Sequence, residues 1–261
     1  MIFMLFDIKV VKMSKEEETK PKKKIKTRKE KDKQYKRRTR LLKIAILIII
    51  LFLINLYLVL ALMYRGENFT VTLDSENGRE SGLIIYEEKD NKIAREYLKS
   101  ENIEYFTDIS VDWIPKDIHE MGEGSHNGAN YIAYTFYAEN NGQDTINYWT
   151  RIVIDDVIKD VDEAIRVMVY KNGERTIYAK PNKATGNAEP GTVPFYSVED
   201  NLVMLNKTEA FEVDMVDKYT VVIWVEGDDP DCTDLLIGGE IKMHMTLTEE
   251  HRYIEEKGKE E

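Results

Sequence analysis

Residues 131–154 read YIAYTFYAENNGQDTINYWTRIVI, and this stretch decides the fold class. Residues 131–139 are aromatic and β-branched on both faces, and 145–154 resume the same character after a polar break. The break, Asn140-Asn141-Gly142-Gln143, holds an Asn-Gly pair of the kind that tolerates the positive φ angles of tight hairpin turns, so the stretch predicts a β-hairpin. The signal recurs at 164–179, AIRVMVYKNGERTIYA, where Lys171-Asn172-Gly173-Glu174 separates two more strand-like runs. Two such signals in close succession commit this part of the chain to β structure.

The pattern extends outward on both sides. Residues 181–194 are rich in Pro, Gly, Asn and Thr and read as a long connection. Beyond them, 220–226 (TVVIWVE) places Val221, Ile223 and Val225 on one face, and 241–247 alternates with Lys242, His244 and Thr246 outward. Toward the amino end, 121–128 is a glycine-rich loop. Residues 101–115 carry Ile103, Tyr105, Phe106, Ile109, Val111 and Trp113 and suggest a strand, or a loop that covers an open end of the core. Ile93, Tyr97 and Leu98 recur at helical spacing and predict a helix over 90–99. Residues 83–86 (LIIY) and 69–73 (FTVTL) read as strands. Short strands separated by turns, without alternating helices to build a parallel sheet, indicate an antiparallel β-sandwich or jelly roll over 81–248. It follows a stalk and first strand at 65–80 and precedes a charged tail at 249–261. About 180 residues suffice for one such domain with a good core.

A different signal lies upstream. Residues 44–63, IAILIIILFLINLYLVLALM, carry no charge and make a helix of roughly 30 Å, the thickness of a bilayer's hydrocarbon core. A transmembrane helix over 44–64 follows. Residues 1–43 hold 17 Lys and Arg against 6 Asp and Glu, a net of +11, while the remaining 20 basic and 42 acidic residues all lie beyond the apolar run, a net of −22. Short basic flanks stay in the cytoplasm. The expected protein is thus a single-pass protein of the cell membrane, amino end cytoplasmic, with its carboxyl-terminal domain extracytoplasmic. The apolar run is longer than the core of a cleaved signal peptide, although Val59-Leu60-Ala61 would pass as a cleavage site. Residues 14–40 are too polar to offset chain entropy, and 1–43 is expected to be a disordered basic tail, its true start at Met1 or Met13. Its Lys22-Lys23-Lys24 and 36–40 runs would hug anionic lipid headgroups. Beside a membrane span these runs do not indicate a nucleic-acid partner. Asn55, near mid-span, is a tolerated amide or a point of helix–helix hydrogen bonding.

The strand and turn pattern of 134–142 (YTFYAENNG), 166–174 (RVMVYKNGE) and 219–227 (YTVVIWVEG), with the following Asp228-Asp229-Pro230-Asp231-Cys232, resembles TasA/camelysin-like extracytoplasmic surface proteins of Gram-positive bacteria over about 131–247. The resemblance implies a β-sandwich with a cell-surface role. That family is typically secreted through a short cleavable signal, whereas this chain carries a long basic tail and an anchor. Fibre formation or release into a matrix is therefore not carried over.

Chemistry is sparse. His119-Glu120 begins like a metalloprotease helix, but the next histidine, His126, comes seven residues on with Gly122 and Gly124 between, and two ligands on one helical face need a spacing of four. The loop 226–234 (EGDDPDCTD) offers Asp228, Asp229, Asp231 and Asp234 as oxygen ligands for calcium, or reads as a solvated turn. Cys232 is the sole cysteine, so no intramolecular disulfide forms, and no histidine stands beside it in sequence to activate a thiolate. No phosphate-binding glycine loop, serine elbow or dinucleotide fingerprint occurs. Asn68-Phe69-Thr70 and Asn206-Lys207-Thr208 fit the glycosylation acceptor pattern. The expected function is a non-enzymatic surface module with a structural, assembly or binding role in the cell envelope. Its expected partner is an envelope protein or a second copy of itself. The alternatives are an extracellular metal-dependent hydrolase and a ligand sensor that signals through the span.

Overall fold

The structure is a computed structural model that describes residues 28–64, 68–74, 82–103, 105 and 107–250. The first part of the basic tail, much of the stalk and the charged tail from 251 onward lie outside the described residues. The chain divides into two compact units, Met1–Tyr64 and Arg65–Glu261.

In the first unit the described residues form a helix, α1 (Arg28–Tyr64), which contains a stretch, Tyr35–Val59, long and apolar enough to cross a membrane. The large apolar side chains from Ile44 to Val59 are exposed. The helix begins well before the apolar run, which corrects the expectation of a disordered tail through residue 43: Arg28 to Lys43 are helical. Lys, Arg, Glu, Gln and Leu are good helix formers, and extending a helix that the apolar run has already nucleated carries no further nucleation cost.

Among the described residues the second unit contains twelve strands: β1 (Phe69–Leu73), β2 (Leu83–Tyr86), β3 (Tyr97–Lys99), β4 (Gly124–Ser125), β5 (Ile132–Asn140), β6 (Ile146–Ile158), β7 (Ile165–Lys171), β8 (Glu174–Ala179), β9 (Val193–Pro194), β10 (Leu202–Phe211), β11 (Val216–Val225) and β12 (Glu240–Glu249). They form two sheets. One has the order β10-β6-β12-β1-β3, the other β2-β5-β11-β7-β8-β9 with β4 also paired to β5. The expected all-antiparallel pairing is corrected at two places, because β1 runs parallel to β12 and β9 parallel to β8. A parallel neighbour needs a long connection, and almost the whole domain lies between β1 and β12.

Both sheets contribute to one buried apolar cluster. β12 supplies Ile241, Met243, Met245 and Leu247, as its alternation predicts, and β11 supplies Val221, Ile223 and Val225. The other face of β11 is buried as well. Val222 and Trp224 pack with Ala133, Met168 and Tyr170 under Ile109, Ile114 and Ile118. The segment 109–118 therefore covers the outer face of the second sheet, with 3₁₀ turns at Val111–Trp113 and Ile118–Glu120, while Ile103 packs against the main cluster. A strand buried on both faces reads as a continuous apolar run, which is what TVVIWV is.

Two local expectations fail for identifiable reasons. Residues 90–99 form no helix: Arg95 bridges to Ile85 and residues Tyr97–Lys99 are strand β3. Leu98 is buried opposite Val71 while Ile93 and Tyr97 remain exposed, so the three do not share one buried face, and sheet pairing overrides local spacing. The expected hairpin over 131–154 also fails, because β5 and β6 belong to different sheets. Buried Asn140 steers the chain across. Its amide donates to the carbonyls of Asp144 and Phe211, both at 2.9 Å, and its Oδ1 accepts from the Gly142 N–H at 3.0 Å. Neither Asn141 nor Gly142 takes a positive φ; Gly142 is required because a Cβ there would lie 2.8 Å from the Gly82 Cα. The second Asn-Gly pair behaves as expected. Asn172 (φ 52°) and Gly173 (φ 88°) close the β7–β8 hairpin with the paired positive angles of a primed turn.

Candidate functional site

Along β7 the odd positions Ile165, Val167 and Val169 enter the main cluster, so Arg166, Met168 and Tyr170 face the other way, toward the 109–118 cover. Arg166 is opposite Trp224 of β11 and only 4 % exposed. A guanidinium so deeply buried must be paired. Its Nη2 lies 2.5 Å from Asp229 Oδ2 and 4.0 Å from Glu189 Oε2, and its Nη1 donates to the Ile165 carbonyl at 3.3 Å.

These residues line a cavity of about 500 Å³. Its walls mix Ile114, Met168, Tyr170, Ile177 and Trp224 with charged groups: Arg166, Glu189, Glu226, Asp228 and Asp229, together with Lys116 and Arg175. Glu226 is buried and held by three donors. Trp224 Nε1 and the Val111 N–H reach its Oε2 at 3.1 and 3.2 Å, and the Asp228 N–H reaches Oε1 at 3.3 Å. The arrangement is an amphipathic recess with a pre-formed polar network, the usual makeup of a small-ligand site.

Of the four aspartates singled out in the sequence, the structure brings two together. Asp229 Oδ1 accepts from the Asp231 N–H at 2.8 Å, and Asp231 Oδ2 accepts from the Lys183 N–H, also at 2.8 Å. Asp228 lines the cavity outside this pair, and Asp234 starts a separate 3₁₀ turn, Asp234–Leu236. The third member is Glu189, from the 181–194 connection; one oxygen from each of Glu189, Asp229 and Asp231 lies within 4.8 Å of the others. A lone glutamate forty residues upstream in a Pro- and Gly-rich loop carries no sequence signal of this meeting.

None of the described histidines joins this carboxylate group. His119 stacks on Tyr170 at 4.4 Å between ring centroids, and the ring nitrogens of His126 lie 3.1 Å from the Gly124 carbonyl and 3.3 Å from that of Ile118. His244 pairs with Asp155 at 2.7 Å. Cys232 is half-buried against the core, and burial first, then the nearby Asp108, Asp229 and Glu226 carboxylates, push its thiol above the usual value, the opposite of what a nucleophilic thiolate needs.

A second set of polar contacts stands on β2 and β5, away from these residues in sequence. Tyr86, Tyr134 and Tyr137 donate to Glu139, Glu87 and Glu123 respectively. Burial, followed by these hydrogen bonds, pushes all three phenols upward. Burial alone would raise the Glu139 carboxyl too, but hydrogen bonds from Lys92 at 2.9 Å and Tyr86 at 2.7 Å outweigh it and hold Glu139 below the ordinary 4.5. The folded state then binds a proton less readily than the unfolded chain. The resulting stability is present above about pH 4.5 and is lost as pH falls through the lower folded value. Glu139→Gln should therefore flatten the acid limb of a denaturant-midpoint profile taken from about pH 6 to about pH 3. An acid limb as steep as that of the parent would show that Glu139 contributes nothing to it.

Comparison with known proteins found no matching family model, no matching curated protein and no matching solved structure.

Proposed function

We propose that this chain is a single-pass membrane protein that holds an acidic β-sandwich outside the cytoplasmic membrane as a binding module of the cell envelope. A helix whose large apolar side chains are exposed suits lipid as its surroundings, and the basic residues before it against the acidic excess after it favour a cytoplasmic amino end. Two mixed sheets that share one apolar cluster are consistent with a sandwich, in line with the resemblance to TasA/camelysin-like surface proteins. The observation that carries the binding role is the cavity of about 500 Å³ lined by Arg166, Glu189, Trp224, Glu226 and Asp229. Burying that many charged groups around open space is costly for a purely structural spacer and useful for recognition.

Topology is tested in intact cells that express the full chain with an epitope at either end. Protease added outside is expected to remove the carboxyl-terminal epitope and spare the amino-terminal one. The reverse pattern, or protection of both, would overturn the orientation. For binding, the same chain in detergent is screened by thermal shift against envelope-type saccharides, peptides and amines. A hit is expected to weaken when Arg175 or Lys116, both on the cavity wall, is replaced by Ala.

A further inference from the structure

We propose that Glu189, Asp229 and Asp231 form a binding site for one divalent cation of the calcium type. One carboxylate oxygen of each lies within 4.8 Å of the other two, although the residues come from two separate loops. Like charges so close repel unless a positive charge stands among them. Arg166 supplies part of that charge, at 2.5 Å from Asp229 Oδ2 and 4.0 Å from Glu189 Oε2. Three carboxylates against one guanidinium still leave two formal negative charges, which one divalent ion neutralises.

An independent observation points the same way. Glu189 is 6 % exposed, yet its Oε1 is buried without a hydrogen-bond partner among the described residues. A buried carboxylate oxygen left unpaired is costly, and its sister Oε2 already faces Arg166. A metal ion bound through Oε1 removes that cost. Asp229 and Asp231 each have one oxygen engaged by a backbone N–H and retain further acceptor capacity.

The donor set selects the ion. It consists of oxygens alone, with no histidine or thiolate, which suits a hard cation and disfavours zinc. Loop carboxylates of irregular geometry suit calcium, which tolerates six to eight ligands at variable angles, better than magnesium, which demands an octahedron. Glu189 and Asp229 also line the cavity, which provides a route in. Three protein carboxylates on loops place the affinity at about 10⁻⁴ to 10⁻³ M, the range of extracellular calcium modules. Bound there, the ion would tie the 181–194 connection to the loop after β11. The inference does not depend on the membrane orientation proposed above.

The test uses the full chain in detergent, stripped with a chelator and titrated with CaCl₂ or MgCl₂ in a calorimeter and in thermal unfolding. One calcium per chain is expected, with a rise in Tm at about 10 mM CaCl₂ that magnesium does not match. Glu189→Gln and Asp231→Asn are expected to weaken calcium binding about tenfold or more, and Asp234→Asn to leave it unchanged. Glu189→Gln removes a buried charge at constant shape, so without calcium it is expected to unfold at the parent's temperature or above. That last outcome separates loss of a ligand from loss of the fold. The proposal is overturned if the parent neither binds calcium stoichiometrically nor changes its Tm. It is equally overturned if Glu189→Gln and Asp231→Asn bind like the parent, or if a simple primary amine such as butylamine stabilises the protein where calcium does not.

Discussion

Arg166→Leu is expected to destabilise the β unit by about 3–5 kcal/mol, the cost typical of removing one partner from a buried ion pair. The guanidinium is 4 % exposed and stands between Asp229 Oδ2 and Glu189 Oε2, both on residues that are themselves buried. Leucine fills much of the space but leaves two carboxylates without their guanidinium in a site where Glu189 Oε1 already has no donor among the described residues. The loss therefore comes from stranded charge and not from lost packing. A second variant separates the two. Arg166→Leu combined with Asp229→Asn removes one stranded charge, and it is expected to recover about half of the deficit, since residues in one ion-pair network do not behave additively. Urea unfolding of the full chain in detergent, in the presence of chelator and followed by tryptophan fluorescence, measures both. A loss below about 1 kcal/mol for the single variant would show that the acidic pair is satisfied without Arg166.

Trp224→Ala is expected to cost a similar amount, about 3–5 kcal/mol, by a different route. Trp224 is fully buried and lies in the second apolar cluster, where Ile109, Ile114 and Ile118 cover the outer face of β11. Its removal joins the vacated volume to the existing cavity and takes away the Nε1 donor that holds Glu226 Oε2 at 3.1 Å. Trp224→Phe keeps most of the ring and loses only that donor, so it is expected to cost about 1–2 kcal/mol. The gap between the two substitutions measures packing against hydrogen bonding. Equal losses would assign nearly the whole effect to the indole N–H. Near-UV circular dichroism should weaken more in the alanine variant, because Ile109, Ile114 and Ile118 lose the ring they share a cluster with.

Neither residue's environment is legible in the sequence. Trp224 sits in a run whose β character is plain, but alternation alone assigns it to solvent. Only the cover formed by 109–118 shows that the second face is buried too. Arg166 looks like an ordinary charge on an alternating strand. Its partners come from the loops at 189 and 229, far apart in the chain, and nothing in the spacing announces them. The carboxylates of the acidic loop after β11 are adjacent in sequence. Adjacency brought in Asp229 and Asp231, missed Glu189 and added Asp228 and Asp234, since chain neighbours in a turn point in different directions while the tertiary structure gathers groups by distance.

The two Asn-Gly pairs show the same division in miniature. At Asn172-Gly173 the turn is local, the flanking strands pair with each other, and residue type suffices. At Asn141-Gly142 the same dipeptide carries the chain from one sheet to the other, because buried Asn140 reaches the carbonyls of Asp144 and Phe211 and Gly142 packs against Gly82. What the sequence by itself determined are features whose energy is local or additive along the chain: the apolar helix, the charge asymmetry around it, the dominance of β structure, and the buried face of β12. Strand partners, the loss of the expected helix at 90–99 in favour of β3, and the meeting of Glu189 with Asp229 and Asp231 were decided only in the tertiary structure, because each depends on groups that become neighbours once distant segments have packed.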